Sequence, residues 1–146
     1  METFGEHAWY DVEPLDEQYD GRDGVRTYYE DLLGALPDLQ IDIHRRHVTD
    51  EAVILEVTMS GTHNGTWRGL PGTGHEVEFP VCAVFEFDDQ NMIACERIYY
   101  DRATVLQQLG IFHDPEGGIG QILTPLTHPI TMIRALTRTI RKEMAG

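Results

Sequence analysis

Up to Gly110, the apolar residues of this chain follow one of two rhythms. Every second residue is apolar in Leu39–Val48 (Leu39, Ile41, Ile43 against Gln40, Asp42, His44), in Ala52–Thr62 (Val53, Leu55, Val57, Met59) and in Glu76–Phe87 (Val77, Phe79, Val81, Ala83, Phe85, Phe87). A period of two predicts strands, each with one face on a core. Asp50-Glu51 and Asp88–Asn91 supply the turns. Earlier in the chain, Val25, Tyr28, Tyr29, Leu32, Leu33 and Leu36 recur at steps of three and four. That stripe predicts a helix opening at Gly21–Gly24, with Asp23 suited to its start and Pro37 stopping it. Glu6–Val12 reads as a short first strand anchored by Trp9, Pro14–Asp20 as an acidic loop, and His63–Gly74 as a Gly-rich connection.

The stretch Met92–Gly110 changes rhythm part-way. Alternation from Ile93 puts Cys95, Arg97, Tyr99 and Asp101 on one face. After Asp101 the spacing of Val105, Leu106 and Leu109 is helical, and Gly110 ends that helix. A polar strand face therefore closes on a carboxylate where the chain turns into a helix. One helix followed by hairpin-linked strands predicts an α+β domain with a curved antiparallel sheet. It covers residues 1–112. A loop and an amphipathic helix over Pro125–Met144 follow, in 113–146, with Ile130, Ile133, Leu136 and Ile140 on one side.

Composition narrows the function classes. The formal net charge of -14 argues against nucleic acid, whose phosphates need a basic surface. No apolar run approaches the roughly 20 residues of a membrane span, and no leader pattern opens the chain, so a cytoplasmic protein is expected. Cys82 and Cys95 lie inside strands and read as buried thiols, with neither a disulfide framework nor zinc spacing. His44 and His47, three apart on a strand, are expected on opposite sides, and no other metal-ligand spacing occurs. Nucleotide-loop and serine or cysteine nucleophile motifs are also missing. The reading is thus of a protein without metal or cofactor.

Two residues stand out for proton chemistry. His63 shares the parity of Val53–Met59 and reaches the interior of Phe79 and Val81, where it serves as an acid or base or simply hydrogen-bonds its loop. Asp101 either caps the following helix or looks into a pocket beside Arg97 and Tyr99. Trp9 and Trp67 each edge a pocket or fill the core. Tyr28 and Phe79 complete the expected pocket wall.

Four segments carry a resemblance: Gly61-Thr62-His63-Asn64-Gly65, Gly69-Leu70-Pro71-Gly72-Thr73-Gly74-His75-Glu76-Val77, Glu96-Arg97-Ile98-Tyr99-Tyr100-Asp101 and Leu106-Gln107-Gln108-Leu109-Gly110. From about Trp9 to Gly110 the chain resembles the SnoaL-like polyketide cyclase family, within the superfamily named after nuclear transport factor two. The resemblance implies a cone-shaped sheet around a deep apolar pocket, closed by helices, and a homodimer formed through the sheet. On the outer face, that dimer is expected to meet near Glu96, Ile98 and Tyr100. It also implies an aspartate at Asp101 acting as general acid/base in an intramolecular aldol closure, without metal or cofactor. Two departures are visible. Arg97 and Ile98 stand where the cyclases often carry a histidine and an aromatic, and the helices that normally precede the first strand are missing. The expected activity is a cofactor-free cyclisation or isomerisation of a small apolar molecule. Asp101 moves the proton, Tyr99 or His63 holds the developing oxyanion, and Arg97 sets the charge. The alternative is a non-catalytic ligand-binding or dimeric subunit protein of the same fold. An epoxide hydrolase of related fold ranks lowest, since Phe79–Phe87 offers no Arg-x-Asp partner.

Overall fold

The structure is a computed structural model and describes residues 2–112. The amphipathic helix expected over 125–144 lies outside them. Six strands form one sheet: β1 (Phe4–Val12), β2 (Glu17–Asp20), β3 (Gln40–Val48), β4 (Ala52–Thr62), β5 (Glu76–Phe87) and β6 (Ile93–Tyr100). Their order is β2-β1-β6-β5-β4-β3. Neighbours run antiparallel except β1 and β6, which are parallel and bring the first and last strands together. Two α-helices lie among the described residues, α1 (Gly21–Ala35) and α2 (Arg102–Gln108). Neither is long and apolar enough to cross a membrane. Part of the expected acidic loop is ordered, as a 3-10 turn at Glu13–Leu15 leading into β2.

The long strands bury the faces their alternation predicts. Val57 and Met59 of β4 lie opposite Val81 and Phe79 of β5, and all four are buried. Helix α1 lays Val25, Tyr28, Leu32 and Ala35 on this inner face. Tyr28 stacks on Tyr10 of β1 with ring centroids 4.2 Å apart, and Tyr29 meets Tyr10 edge-on at 5.5 Å. Such aromatic pairs add attraction beyond the area they bury.

Two β-bulges change the side-chain parity. In the β5–β6 hairpin Glu86 faces Cys95 but Phe87 faces Ile93, so Ala94 is an extra residue on β6. Ile93 packs on the core, and beyond the bulge so do Ile98 and Tyr100, while Glu96 is buried with them. Arg97 and Tyr99 point the other way. The expected face of Cys95, Arg97, Tyr99 and Asp101 is therefore the outer one, and Glu96, Ile98 and Tyr100 form no exposed dimer patch. The second bulge lies in β3, where Ile43 faces Val57 but Arg45 faces Glu56. His44 and His47 thus share the outer face instead of opposing each other. His44 bonds Thr58, and His47 bonds Glu56.

The Gly-rich connection is anchored by its backbone. The N–H groups of Asn64 and Gly65 donate to the Ala35 carbonyl at the end of α1, at 3.0 and 3.1 Å. Its tip is a two-residue turn, Arg68-Gly69, closed by Trp67 and Leu70 exchanging N–H···O bonds of 2.9 Å. Both turn residues have positive φ, 54° and 80°, as a tight hairpin turn requires. Arg68 is held there by a bidentate ion pair with Glu17.

The Gln108-Leu109-Gly110 segment has a physical role. The Gln108 carboxamide accepts from the Glu78 N–H and donates to the Glu78 carbonyl, both at 2.8 Å, so it replaces a neighbouring strand where β6 has ended. Leu109 is buried. Gly110 turns at φ 74°, and a Cβ there would touch the His75 ring.

At Gly65 a Cβ would overlap the carbonyl oxygen of Gly34. Gly65→Ala is therefore expected to lower stability by roughly 1–3 kcal/mol, the usual range for overpacking. The measurement is the urea midpoint at unchanged slope, and an unchanged midpoint would mean the connection does not depend on this close approach.

Candidate functional site

Between α1 and the inner face lies an apolar cavity of about 360 Å³. Its wall is aliphatic and aromatic: Leu32, Leu55, Val57, Met59, Val81, Ala83, Phe85 and Ile98, with Ile41 and Ile43 at the β3 side. Those two isoleucines are about half exposed, 53% and 52%, so the cavity opens along β3. Its polar groups among the described residues are Tyr10, Tyr29 and Glu96, and none of those residues lining it is cationic.

Glu96 is the unusual member. It sits opposite Tyr10 in register, retains 5% exposure, and its carboxylate accepts a 2.8 Å bond from the Tyr29 hydroxyl. Burial pushes its pKa up to about 7, against the opposing pull of that hydrogen bond. Both protonation states are then populated near neutrality, the condition for moving protons in either direction. Burial also pushes Tyr10 and Tyr29 well above the ordinary phenol range, with the Glu96 charge adding to it. Both hydroxyls stay protonated as donors.

The residues singled out from sequence are distributed differently. Asp101 caps α2: one carboxylate oxygen accepts from the Ala103 N–H at 2.9 Å and the other from the Thr104 hydroxyl at 2.7 Å. Those bonds hold its pKa below the ordinary carboxylate value. Of the two roles open to Asp101, capping is the one the geometry displays. Arg97 lies on the outer face among Asp11, Glu13 and Glu86, at 3.4, 3.4 and 3.6 Å. Tyr99 is 43% exposed on the same side.

His63 is fully buried, as its parity implies, yet it does not line the cavity. Its Nδ1 accepts from the Thr73 N–H at 3.3 Å, and its Nε2 has no partner among the described residues. Burial lowers its pKa. Of the expected pocket wall, Tyr28 and Phe79 are core residues that do not line the cavity, and Trp67 packs on the core. Trp9 is on the outer face, where its indole N–H donates to Asp11 at 3.2 Å. Cys82 and Cys95 are free, and burial pushes Cys95 up to about 11, so it is a thiol rather than a nucleophilic thiolate. Among the described residues no group of three His, Cys, Asp or Glu side chains could hold a metal. Glu96 was missed because alternation was carried through Ala94. The available signal was its hairpin partner, Phe85, on a face already assigned to the core.

The model of the SnoaL-like polyketide cyclases matches residues 3–109. The chain belongs to that family. Solved structures with the SnoaL-like fold include a protein from Jannaschia sp. CCS1 assigned to the SnoaL-like polyketide cyclases. It has TM-score 0.70 and 18% identity, over 77% of this chain and 76% of that one. A phenazine biosynthesis-related protein from Pseudomonas aeruginosa gives 0.65 and 21%, over 77% and 74%. A hypothetical protein with ketosteroid isomerase-like fold from Catenulispora acidiphila, in complex with trimethylamine, gives 0.65 and 15%, over 76% and 79%. At these identities the likeness is one of SnoaL-like fold. The search of curated proteins returns no match.

The raised pKa has a thermodynamic signature. A carboxyl whose folded pKa, about 7, exceeds its ordinary value of 4.5 binds more protons folded than unfolded. Stability from this group is complete below about pH 4.5 and is lost as pH rises through 7. From pH 5 to pH 8, wild type is expected to lose roughly 2–3 kcal/mol relative to Glu96→Gln, measured by urea unfolding of both proteins. His63 works in the opposite direction in both proteins. With its folded pKa depressed, it destabilises only as pH falls below about 6.5, and it cancels in the difference. A flat difference would mean that Glu96 is not desolvated.

Proposed function

We propose that this SnoaL-like protein is a cofactor-free enzyme acting on a small, largely apolar organic molecule with an enolisable carbonyl, and that Glu96 is its proton-transfer group. What carries the reading is a carboxyl of pKa about 7, hydrogen-bonded to Tyr29, facing an apolar cavity of ligand size. Ionised Glu96 takes a proton from the carbon beside the carbonyl, and the electron pair moves onto the carbonyl oxygen. The Tyr10 hydroxyl is the available donor for that oxyanion, since the single Tyr29 O–H is given to Glu96. The enolate carbon then attacks a second carbonyl of the same molecule, closing a ring whose new alkoxide takes back the proton held by Glu96. Alternatively, in a conjugated enolate Glu96 returns the proton to a different carbon, giving an isomer. Either sequence balances without an external oxidant or reductant.

Glu96 is preferred to the Asp101 implied by family resemblance because both Asp101 oxygens are engaged in capping and none of its neighbours is part of the cavity wall. The rival reading, a non-catalytic carrier of a small apolar ligand, draws on the open side of the cavity at Ile41 and Ile43, which leaves the site wet. A homodimer through the sheet, as in the family resemblance, would use the outer face, where Ile54, Val84 and Tyr99 lie.

The test is α-proton exchange of a bound, un-ionised cyclic monoketone in D2O, followed by proton NMR. Wild type is expected to accelerate exchange, with a rate that rises as pH passes about 7. Glu96→Gln should lose about 10²–10⁴-fold. Asp101→Asn should keep the rate and lower only the melting temperature. Exchange lost in Asp101→Asn but not in Glu96→Gln would return the role to Asp101. Binding without exchange would make the protein a carrier.

A further inference from the structure

Four consecutive residues of β3, His44-Arg45-Arg46-His47, form a basic run in a chain of net charge -14. Three of them are engaged on the outer face. His44 bonds Thr58 at 2.7 Å, and Arg45 and His47 both reach Glu56, at 3.5 and 3.2 Å. Arg46 lies between two residues that share one partner on the outer face, so alternation turns it inward. Its register partner, Leu55, is in the cavity wall. The bulge after Ile43 is the cause. Without it, the parity of Ile41 and Ile43 would have turned Arg45 and His47 inward and Arg46 out. Arg46 is exposed and makes no ion pair with the described residues.

The inner face therefore has two polar ends. Ile98, Ala83, Leu55 and Arg46 lie in line across β6, β5, β4 and β3. Three steps of about 4.8 Å put Arg46 roughly 14 Å from Ile98, with Glu96 two residues further along β6. Between the ends the surface is aliphatic. A carboxylate beside Glu96 would meet no cation among the described residues of the wall, and a second negative charge would push the buried carboxyl higher still. At the rim, the guanidinium fork of Arg46 matches a carboxylate with two parallel charge-assisted bonds.

We infer that the ligand of this cavity is an elongated apolar carboxylic acid, bound with its carboxylate on Arg46 at the rim and its uncharged end beside Glu96. The inference rests on the reading of the cavity as a ligand site. It makes Arg46 a specificity residue, remote from the proton transfer, which reads the charge of the substrate.

The experiment compares 6-phenylhexanoate with 6-phenylhexan-1-ol, matched in length and differing in charge, by calorimetric titration at low salt. The proteins are wild type, Arg46→Gln and Arg45→Gln. Wild type is expected to bind the acid roughly tenfold tighter than the alcohol, a preference that shrinks as salt is added. Arg46→Gln should remove the preference while leaving the alcohol affinity unchanged. Arg45→Gln, altered one residue away on the opposite face, should keep it. Equal affinities in wild type, a preference that survives Arg46→Gln, or one lost equally in Arg45→Gln would overturn the inference and leave the cavity reading standing. If neither compound binds, both fall together.

Discussion

One extra residue, Ala94, decides which side chains of β6 look inward. Strand pairing has a period of two, so a single inserted residue moves every later side chain to the other face. The shift puts Glu96, Ile98 and Tyr100 on the inner face and sends Arg97 and Tyr99 outward. The partition is energetically coherent. Arg97 meets three carboxylates at the surface, where an ion pair costs little desolvation. Had the parity been reversed, a guanidinium would have faced an aliphatic wall.

The buried carboxyl of Glu96 is then tolerable because the site can neutralise it. Among the described residues Glu96 has a tyrosine donor and no cation, and a carboxyl in that position relieves its burial by taking a proton. Tyr10 and Tyr29, from β1 and α1, crowd the same corner through aromatic packing. The contacts that seat α1 on the sheet thus also surround the titrating group.

Much of this architecture was legible in the sequence. The inner faces of β4 and β5, the stripe of α1 and the Asp101 cap follow from spacing and capping chemistry, because regular periodicity is what those elements have. The errors on β6 and β3 share one origin: periodicity says nothing about a residue inserted into it. Ala94 and His44 carry no glycine or proline to mark a bulge, and only the facing strands fix their registers. Glu96 was overlooked for a second reason, since a lone acidic residue in an alternating strand ordinarily belongs to the solvent side. The parallel pairing of β1 with β6 left no local signal either, being set by residues far apart in the chain.

That pairing bears on how the chain reaches this fold. Asp11 and Arg97 meet across a sequence separation of 86 residues, and β1 has only the four-residue β2 as its other neighbour. On a ribosome, β1 emerges first and must wait for β6 before its inner edge is paired. Until then Tyr10 and Val12 can be sheltered by α1 alone. Closing so long a loop is entropically costly and slow. The order of synthesis therefore runs against the order of the sheet, and until β6 emerges the nascent chain carries an apolar strand with one edge unpaired and open to wrong partners.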